Sequence, residues 1–114
     1  MFKLAIVGSR AFVDLDLVRR YVRSLDPAKV IIYSGGARGV DRAAATEGRR
    51  LGFEVVELLA DWDGEGRSAG FNRNERLVDL VDGLVAFWDG KSRGTAHSVE
   101  LARRRGIWVR VCTR

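Results

Sequence analysis

Short apolar runs alternate along the chain with longer amphipathic segments. A continuous apolar run is typical of a strand buried on both faces of a parallel sheet, whereas apolar residues three and four apart indicate a helix. The runs predict strands at residues 3–7, 30–33, 54–59, 83–88 and 107–111. Helical spacing predicts helices at about 17–25, 40–51 and 72–81, and from the turn ending at residue 95 to residue 105, with an irregular stretch at 61–70.

This alternation contains no linker and no internal repeat, so it predicts one α/β domain over residues 1–114. The expected architecture is a parallel five-stranded sheet with helices on both faces. We favour the strand order 3-2-1-4-5, although periodicity does not give the order. In that order the turns after strands one, two and four meet at the carboxyl edge, where such sheets bind ligands. We expect Leu77, Leu80 and Val81 to face inward, and Trp108 to pack in the core or in a dimer interface.

Three turns at that edge combine glycine with arginine. Glycine inside a strand or helix costs about 0.5–1 kcal/mol relative to alanine, but it suits a turn where the backbone closely approaches a ligand. A glycine turn before a helix presents N–H groups and the positive end of the helix dipole to an anion. The turns, with two residues at the start of the third helix, give these candidate phosphate-binding residues: Gly8, Ser9, Arg10, Gly35, Gly36, Arg38, Gly39, Asp41, Arg73, Asn74, Gly90, Arg93, Gly94 and Thr95.

The sequence leaves the roles of several side chains open. Asp41 is a helix cap or a contact to a ribose hydroxyl, and Arg73 binds a phosphate or ribose or forms a surface or capping salt bridge. His97, the single histidine, is expected to be structural rather than a ligand contact. Trp88 is the favoured aromatic for stacking on a base because it ends a strand. The stretch 61–70 is a mobile loop near the site or a plain surface excursion.

Composition narrows the classes of protein. The net charge of +5 suggests an anionic partner only weakly, because many arginines occur as pairs and triplets on helix surfaces. No apolar run is long enough to span a bilayer, and the single Cys112 favours a reducing, cytoplasmic setting. The pattern predicts no metal site and no cofactor. Neither a P-loop nor a dinucleotide fingerprint is present, since Val85 and a single Gly8 break their spacings.

Four motifs together resemble those of the SLOG superfamily, with the YspA-like, YpsA-related branch the nearest. They are Gly8-Ser9-Arg10, the segment from Ser34 to Asp41, the segment from Ala69 to Asn74, and the segment from Gly90 to His97. The resemblance covers nearly the whole chain. It implies a Rossmann-like fold that binds nucleotides or nucleotide-derived ligands, often as a homodimer. Relatives include the DNA-processing protein DprA and the LOG phosphoribohydrolases.

The resemblance carries over only where residues match. Gly36, Gly39, Gly94 and Thr95 match well enough to imply phosphate binding by backbone N–H groups and one hydroxyl. In the LOG enzymes a glutamate follows four residues after the glycine of a Gly-Thr pair. That pair is Gly94-Thr95 in this chain, and Ser98 holds the position of the glutamate. Glu100 lies about 200° further around the helix, so it is no simple substitute.

The leading hypothesis is a small cytoplasmic domain, of the sensor type, that binds a nucleotide or nucleotide-derived molecule, with no reaction assigned. A phosphoribohydrolase acting on a nucleoside monophosphate is the first alternative. A DprA-like nucleic-acid module is the second, less favoured because the sequence shows no stripe of aromatics interleaved with basic residues. We expect a homodimer and no association with membranes.

Overall fold

A computed structural model describes residues 1–113 of the chain. Within them lie five strands: β1 (Phe2–Gly8), β2 (Val30–Ser34), β3 (Val55–Glu57), β4 (Gly83–Trp88) and β5 (Trp108–Thr113). The strands form one parallel sheet in the order β3-β2-β1-β4-β5. The α/β fold and the favoured strand order are therefore confirmed.

The crossovers between strands are helical. They are α1 (Leu15–Arg23), α2 (Val40–Arg50), α3 (Trp62–Glu65), a 3-10 turn (Gly66–Ser68), α4 (Ala69–Leu80) and α5 (Arg93–Arg105). Asp14 caps α1, since its carboxylate accepts a hydrogen bond of 3.0 Å from the Leu17 N–H. Across residues 1–113, no helix has both the length and the apolar character needed to cross a bilayer.

The sheet separates two apolar cores because successive side chains of a strand point to opposite faces. On β1, Leu4 and Ile6 pack with residues of α1 and α2, including Val18 and Val40. Ala5 and Val7 face the other side, where they pack with α4 and α5, chiefly through Leu77, Val78, Val99 and Ala102. Both faces of β1 are thus covered, as its unbroken apolar run predicted. The carboxyl ends of β1, β2 and β4 are held at one edge.

Three local predictions were wrong, and a fourth, for Trp108, is narrowed. Residues 61–70 are not irregular but form α3, the 3-10 turn and the start of α4, which begins at Ala69 rather than near residue 72. Leu80 is 46% exposed, and Val78 takes the inward position instead. Trp108 is 49% exposed, so the core is excluded as its position and the dimer interface stays a prediction. The third strand spans three residues rather than six, and it pairs with β2 alone at one edge of the sheet.

Candidate functional site

A cavity of about 410 Å³ opens at the carboxyl edge of the sheet, where the turns after β1, β2 and β4 meet. The start of α4 closes the remaining side. Eight of the fourteen candidate residues line this cavity: Gly8, Arg10, Gly35, Asp41, Arg73, Asn74, Gly94 and Thr95. The topology therefore brings together residues that the sequence places up to 87 positions apart, from Gly8 to Thr95.

The other six candidates lie elsewhere. Gly36 and Arg38 line an adjoining cleft of about 450 Å³. Ser9, Gly39, Gly90 and Arg93 line neither space. Ser9 is buried and accepts a hydrogen bond of 3.1 Å from the Asp89 N–H, which ties the first turn to the third. A Cβ on Gly39 would lie 2.7 Å from the Arg10 carbonyl oxygen, so this glycine allows the first two turns to touch. Both residues thus join turns to one another.

Asp41 is buried at the floor of the cavity, in the first turn of α2. Its Oδ1 accepts a hydrogen bond of 3.2 Å from the Gly8 N–H, and its Oδ2 accepts one of 3.4 Å from the Ala37 N–H. The Gly36 N–H donates to Ser34 Oγ at 3.2 Å. In the longest glycine turn, the N–H groups of Gly36 and Ala37 are therefore occupied by the protein's own oxygens. Asp41 has the contacts of a structural residue that links two turns.

Arg73 reaches into the cavity wall from α4. Its Nη1 donates to the Gly35 carbonyl oxygen, and its Nε donates to Asn74 Oδ1 at 3.0 Å. Burial raises the pKa of Asp41 to about 6, against the opposing effects of the Arg73 charge and the Ala37 and Gly8 N–H groups. Burial also lowers the pKa of Arg73, while Asp41 acts in the other direction. The half-buried guanidinium and the buried carboxylate thus stabilise each other's charge.

The titration of Asp41 predicts a specific pH dependence of stability. Because its pKa rises from 3.8 to about 6 on folding, the folded state binds more protons between these values. The free energy of unfolding should therefore fall as pH rises through this window, by up to about 3 kcal/mol. Asp41→Asn should remove that fall, as measured by urea unfolding at pH 4, 5, 6 and 7.

Glu47 also titrates differently in the folded state, so the pH dependence of stability has to be compared between Asp41→Asn and the wild type. Hydrogen bonds from Arg50 and Arg23 lower the pKa of Glu47 to about 2, so its contribution to stability is lost as pH falls below about 4.5. This change has the opposite sign and is common to both proteins. Parallel stability curves for Asp41→Asn and the wild type between pH 4 and 6 would contradict the assignment.

Aromatic and basic side chains from residues 61–71 form the outer wall, and none of them is among the site residues that the sequence predicted. Trp62 and Phe71 are 54% and 46% exposed, and both line the cavity together with Arg67. The Phe71 ring packs on His97 at 4.5 Å between centroids, and Asn74 Nδ2 lies 3.3 Å from His97 Nδ1. The available signal was an aromatic at each end of a glycine-containing stretch.

Trp88, the favoured stacking residue, lines neither the cavity nor the cleft. Its Nε1 donates a hydrogen bond of 3.0 Å to the Ser92 carbonyl oxygen, which fixes the ring beside the third turn. The position of Trp88 at the end of a strand therefore did not predict which aromatic side chains line the cavity.

Two carboxylates line the cavity, Asp41 and Asp89. Asp89 accepts hydrogen bonds from the Lys91 and Ser92 N–H groups, and these lower its pKa. Ser98, at the position of the LOG glutamate, is buried with its hydroxyl donating to the Gly94 carbonyl oxygen. Glu100 lies outside the cavity and pairs with Arg104. Residues 1–113 contain no cluster of three metal-ligating side chains.

The arginines around the two spaces differ from many elsewhere on the chain. Seven arginines form ion pairs with carboxylates: Arg20, Arg23, Arg49, Arg50, Arg76, Arg104 and Arg105. Arg10, Arg38, Arg42 and Arg67 line the cavity or the cleft and have no carboxylate within 4.0 Å in the described part of the chain. Their positive charge is available to an anion.

The parallel sheet, its strand order and the three turns at its carboxyl edge define a Rossmann-like domain, the fold that the resemblance to the SLOG superfamily implied. The family model described as DNA recombination-mediator protein A matches residues 1–62, which is more than half of the chain. The chain therefore belongs to the DNA recombination-mediator protein A family. No curated protein matches the chain.

Solved structures share this fold. DNA processing protein A from Helicobacter pylori, described for its single-stranded DNA binding mode, has a TM-score of 0.78 and 21% identity over 96% of this chain and 64% of its own. The Streptococcus pneumoniae protein has a TM-score of 0.83 and 21% identity over 97% and 50%. The structural genomics target TM1055 has a TM-score of 0.80 and 23% identity over 96% and 72%. The chain thus spans about half to two thirds of the two DNA processing proteins.

Proposed function

We propose that the cavity binds a nucleotide or a nucleotide-derived phosphate compound. The observation that carries this proposal is the combination of Arg10, Arg67 and Arg73 with the exposed rings of Trp62 and Phe71 around one space of about 410 Å³. Arginine suits phosphate because its planar guanidinium donates two parallel hydrogen bonds. An aromatic wall suits the flat face of a base. Small-molecule sites typically measure about 300–1,000 Å³, so one nucleotide fits.

The start of α5 supports the phosphate side of the proposal. The first turn of a helix leaves N–H groups without intrahelical acceptors, and the positive end of its dipole favours an anion. The Thr95 N–H donates to Ser92 Oγ, so it is already used. Gly94 lines the cavity, and a Cβ added to it would meet no atom within 4 Å. We therefore propose that a phosphate approaches the backbone at Gly94 rather than at the glycine turn whose Ala37 N–H donates to Asp41.

The proposal assigns no reaction to this site. Hydrolysis of an N-glycosidic bond in the manner of the LOG enzymes needs a glutamate where this chain has Ser98. Binding without turnover is the function that these residues support best. The cytoplasmic location and the homodimer stay predictions from the sequence.

Isothermal titration calorimetry with AMP, ADP, ADP-ribose and cyclic AMP tests the proposal. At least one of these ligands should bind and raise the melting temperature. Arg10→Ala and Arg67→Ala should each weaken binding about tenfold or more, because a hydrogen bond to a charged group contributes about 1.5–3 kcal/mol. Arg103→Ala, on the exposed end of α5, is the matched control and should bind like the wild type.

Chromatography of the same mixtures detects any free base. Accumulation of free base would overturn the assignment of binding without reaction. Binding of no member, or equal affinities of Arg10→Ala, Arg67→Ala and the control, would overturn the proposed site.

Single-stranded DNA is a second candidate ligand, favoured by one feature that the linear sequence did not display. Trp62 and Phe71 are exposed beside Arg10 and Arg67, which is the mixture of aromatic and basic side chains that single-strand grooves use. Membership in the DNA recombination-mediator protein A family and the fold shared with the Helicobacter pylori protein point the same way. Trp62 and Phe71 thus supply beside the arginines the aromatic surface that the linear sequence does not show as a stripe.

Fluorescence anisotropy with labelled oligothymidylate between 50 and 200 mM salt, chosen because this range changes such affinities strongly, tests the second candidate. Binding through Z phosphates should give a slope of about −0.7Z in a plot of log K against log salt. Trp62→Ala should weaken binding by about 1–3 kcal/mol if a base stacks on the ring. Equal affinities of Trp62→Ala and the wild type would contradict stacking and leave only charge-driven contact.

A further inference from the structure

We propose that the adjoining cleft is a second subsite, so that the ligand carries two units joined through phosphate. This inference rests on the proposed function, because it assumes a nucleotide in the cavity. It goes further in naming the class of ligand: two nucleotide-sized groups linked by a phosphodiester or a pyrophosphate.

The cavity and the cleft share part of their walls. Arg10, Gly35, Ala37, Trp62 and Arg73 line both of them. The cleft has a volume of about 450 Å³, close to the 410 Å³ of the cavity. Two spaces of similar size that share a wall accommodate two similar units with a link at the shared wall.

The positive charge at the shared wall identifies the chemistry of the link. Arg10 comes from the turn after β1 and Arg73 from α4, and both line the two spaces. Burial is the main cause of the lowered pKa of Arg73, and the nearby charge of Arg10 adds to it. Two cations that repel one another in the free protein are stabilised by an anion placed between them. A linking phosphate at this position supplies that anion.

The far side of the cleft offers charge and an apolar surface. Arg38 and Arg42 are exposed there and form no ion pair within residues 1–113. The carboxylate of Glu57 lies beside Gly36, and it forms an ion pair with Arg49. Leu59 is 66% exposed and covers Gly36 on the same wall. A second sugar and base fit an apolar wall, and a second phosphate fits the two arginines.

The test measures the binding of one-unit and two-unit ligands to variants of two arginines, Arg42 and Arg67. Arg42 lines only the cleft, and Arg67 lines only the cavity. We expect 5′-phosphorylated diadenylate (phosphodiester) or diadenosine diphosphate (pyrophosphate) to bind at least about tenfold more tightly than AMP, as one added charged hydrogen bond would give. Arg42→Ala should remove that advantage and leave the AMP affinity unchanged. Arg67→Ala, in the cavity, should weaken all three ligands. Calorimetry gives the affinities, and unfolding midpoints confirm that both exposed-site variants fold.

The outcomes separate this inference from the proposed function. If AMP binds but neither two-unit ligand binds more tightly, or if Arg42→Ala changes nothing, the second subsite is rejected and the proposed function stands. If none of the three binds, the proposed function itself fails. A preference for diadenylate over diadenosine diphosphate supports the subsite and assigns a phosphodiester link, and the reverse preference supports it with a pyrophosphate link.

Discussion

Arg73→Ala should abolish nucleotide binding and also destabilise the fold by about 2 kcal/mol at neutral pH. Both effects have one cause. Arg73 lines the cavity and the cleft, and its charge opposes the effect of burial on the Asp41 carboxylate. Removing the guanidinium leaves a buried carboxylate without its neighbouring cation. The loss of stability should therefore be smaller at pH 5, where Asp41 with a pKa of about 6 is mainly protonated in the folded state.

A double variant separates binding from stability. In Arg73→Ala combined with Asp41→Asn, no unpaired buried charge remains at this site, so much of the lost stability at pH 7 should return. The amide oxygen still accepts a hydrogen bond from one of the two N–H groups that the carboxylate satisfied. Nucleotide binding should stay absent because the cavity still lacks the Arg73 guanidinium. Urea unfolding and calorimetry on the single and double variants measure the two effects. Equal destabilisation by Arg73→Ala at pH 5 and pH 7 would argue against the charge interaction.

Gly8→Ala should destabilise the protein by about 1–3 kcal/mol, the usual cost of forcing an extra group into a packed interior. A Cβ at Gly8 would overlap the Phe87 carbonyl oxygen of the neighbouring strand and lie 2.7 Å from Val40 Cβ. Neither atom moves easily, because Phe87 belongs to the sheet and Val40 begins α2. Gly8 therefore permits the close contact between β1, β4 and the start of α2 on which the floor of the cavity depends.

Gly94→Ala is the matched control for Gly8→Ala. It has open space around its Cβ position and lies in the first turn of α5. Its stability should stay unchanged or rise by up to about 1 kcal/mol, since alanine favours a helix. Nucleotide affinity should fall, because the new methyl group occupies the approach to the backbone. Urea unfolding curves and calorimetric titrations of both variants provide the comparison. A less stable Gly94→Ala, or one with wild-type affinity, would contradict the phosphate position assigned here.

The sequence predicted the elements well where the pattern is strong. The strand at 83–88 has the predicted bounds, and β1 and β2 differ from prediction by one or two residues. The pattern failed at residues 61–70, where glycines and polar residues suggested a loop but short helical turns form. Those turns contact chiefly one another and α4, so local apolar spacing gave little indication of them.

The sequence by itself determined the alternation of strands and helices and the glycine turns that follow three strands, because apolar periodicity and glycine placement are local properties. Only the tertiary structure decided that Asp41 occupies the N–H groups of Gly8 and Ala37, and that Trp62 and Phe71 rather than Trp88 line the cavity. These outcomes depend on contacts between residues far apart in the chain and on the direction in which each side chain leaves its element. Spacing along a sequence carries neither quantity.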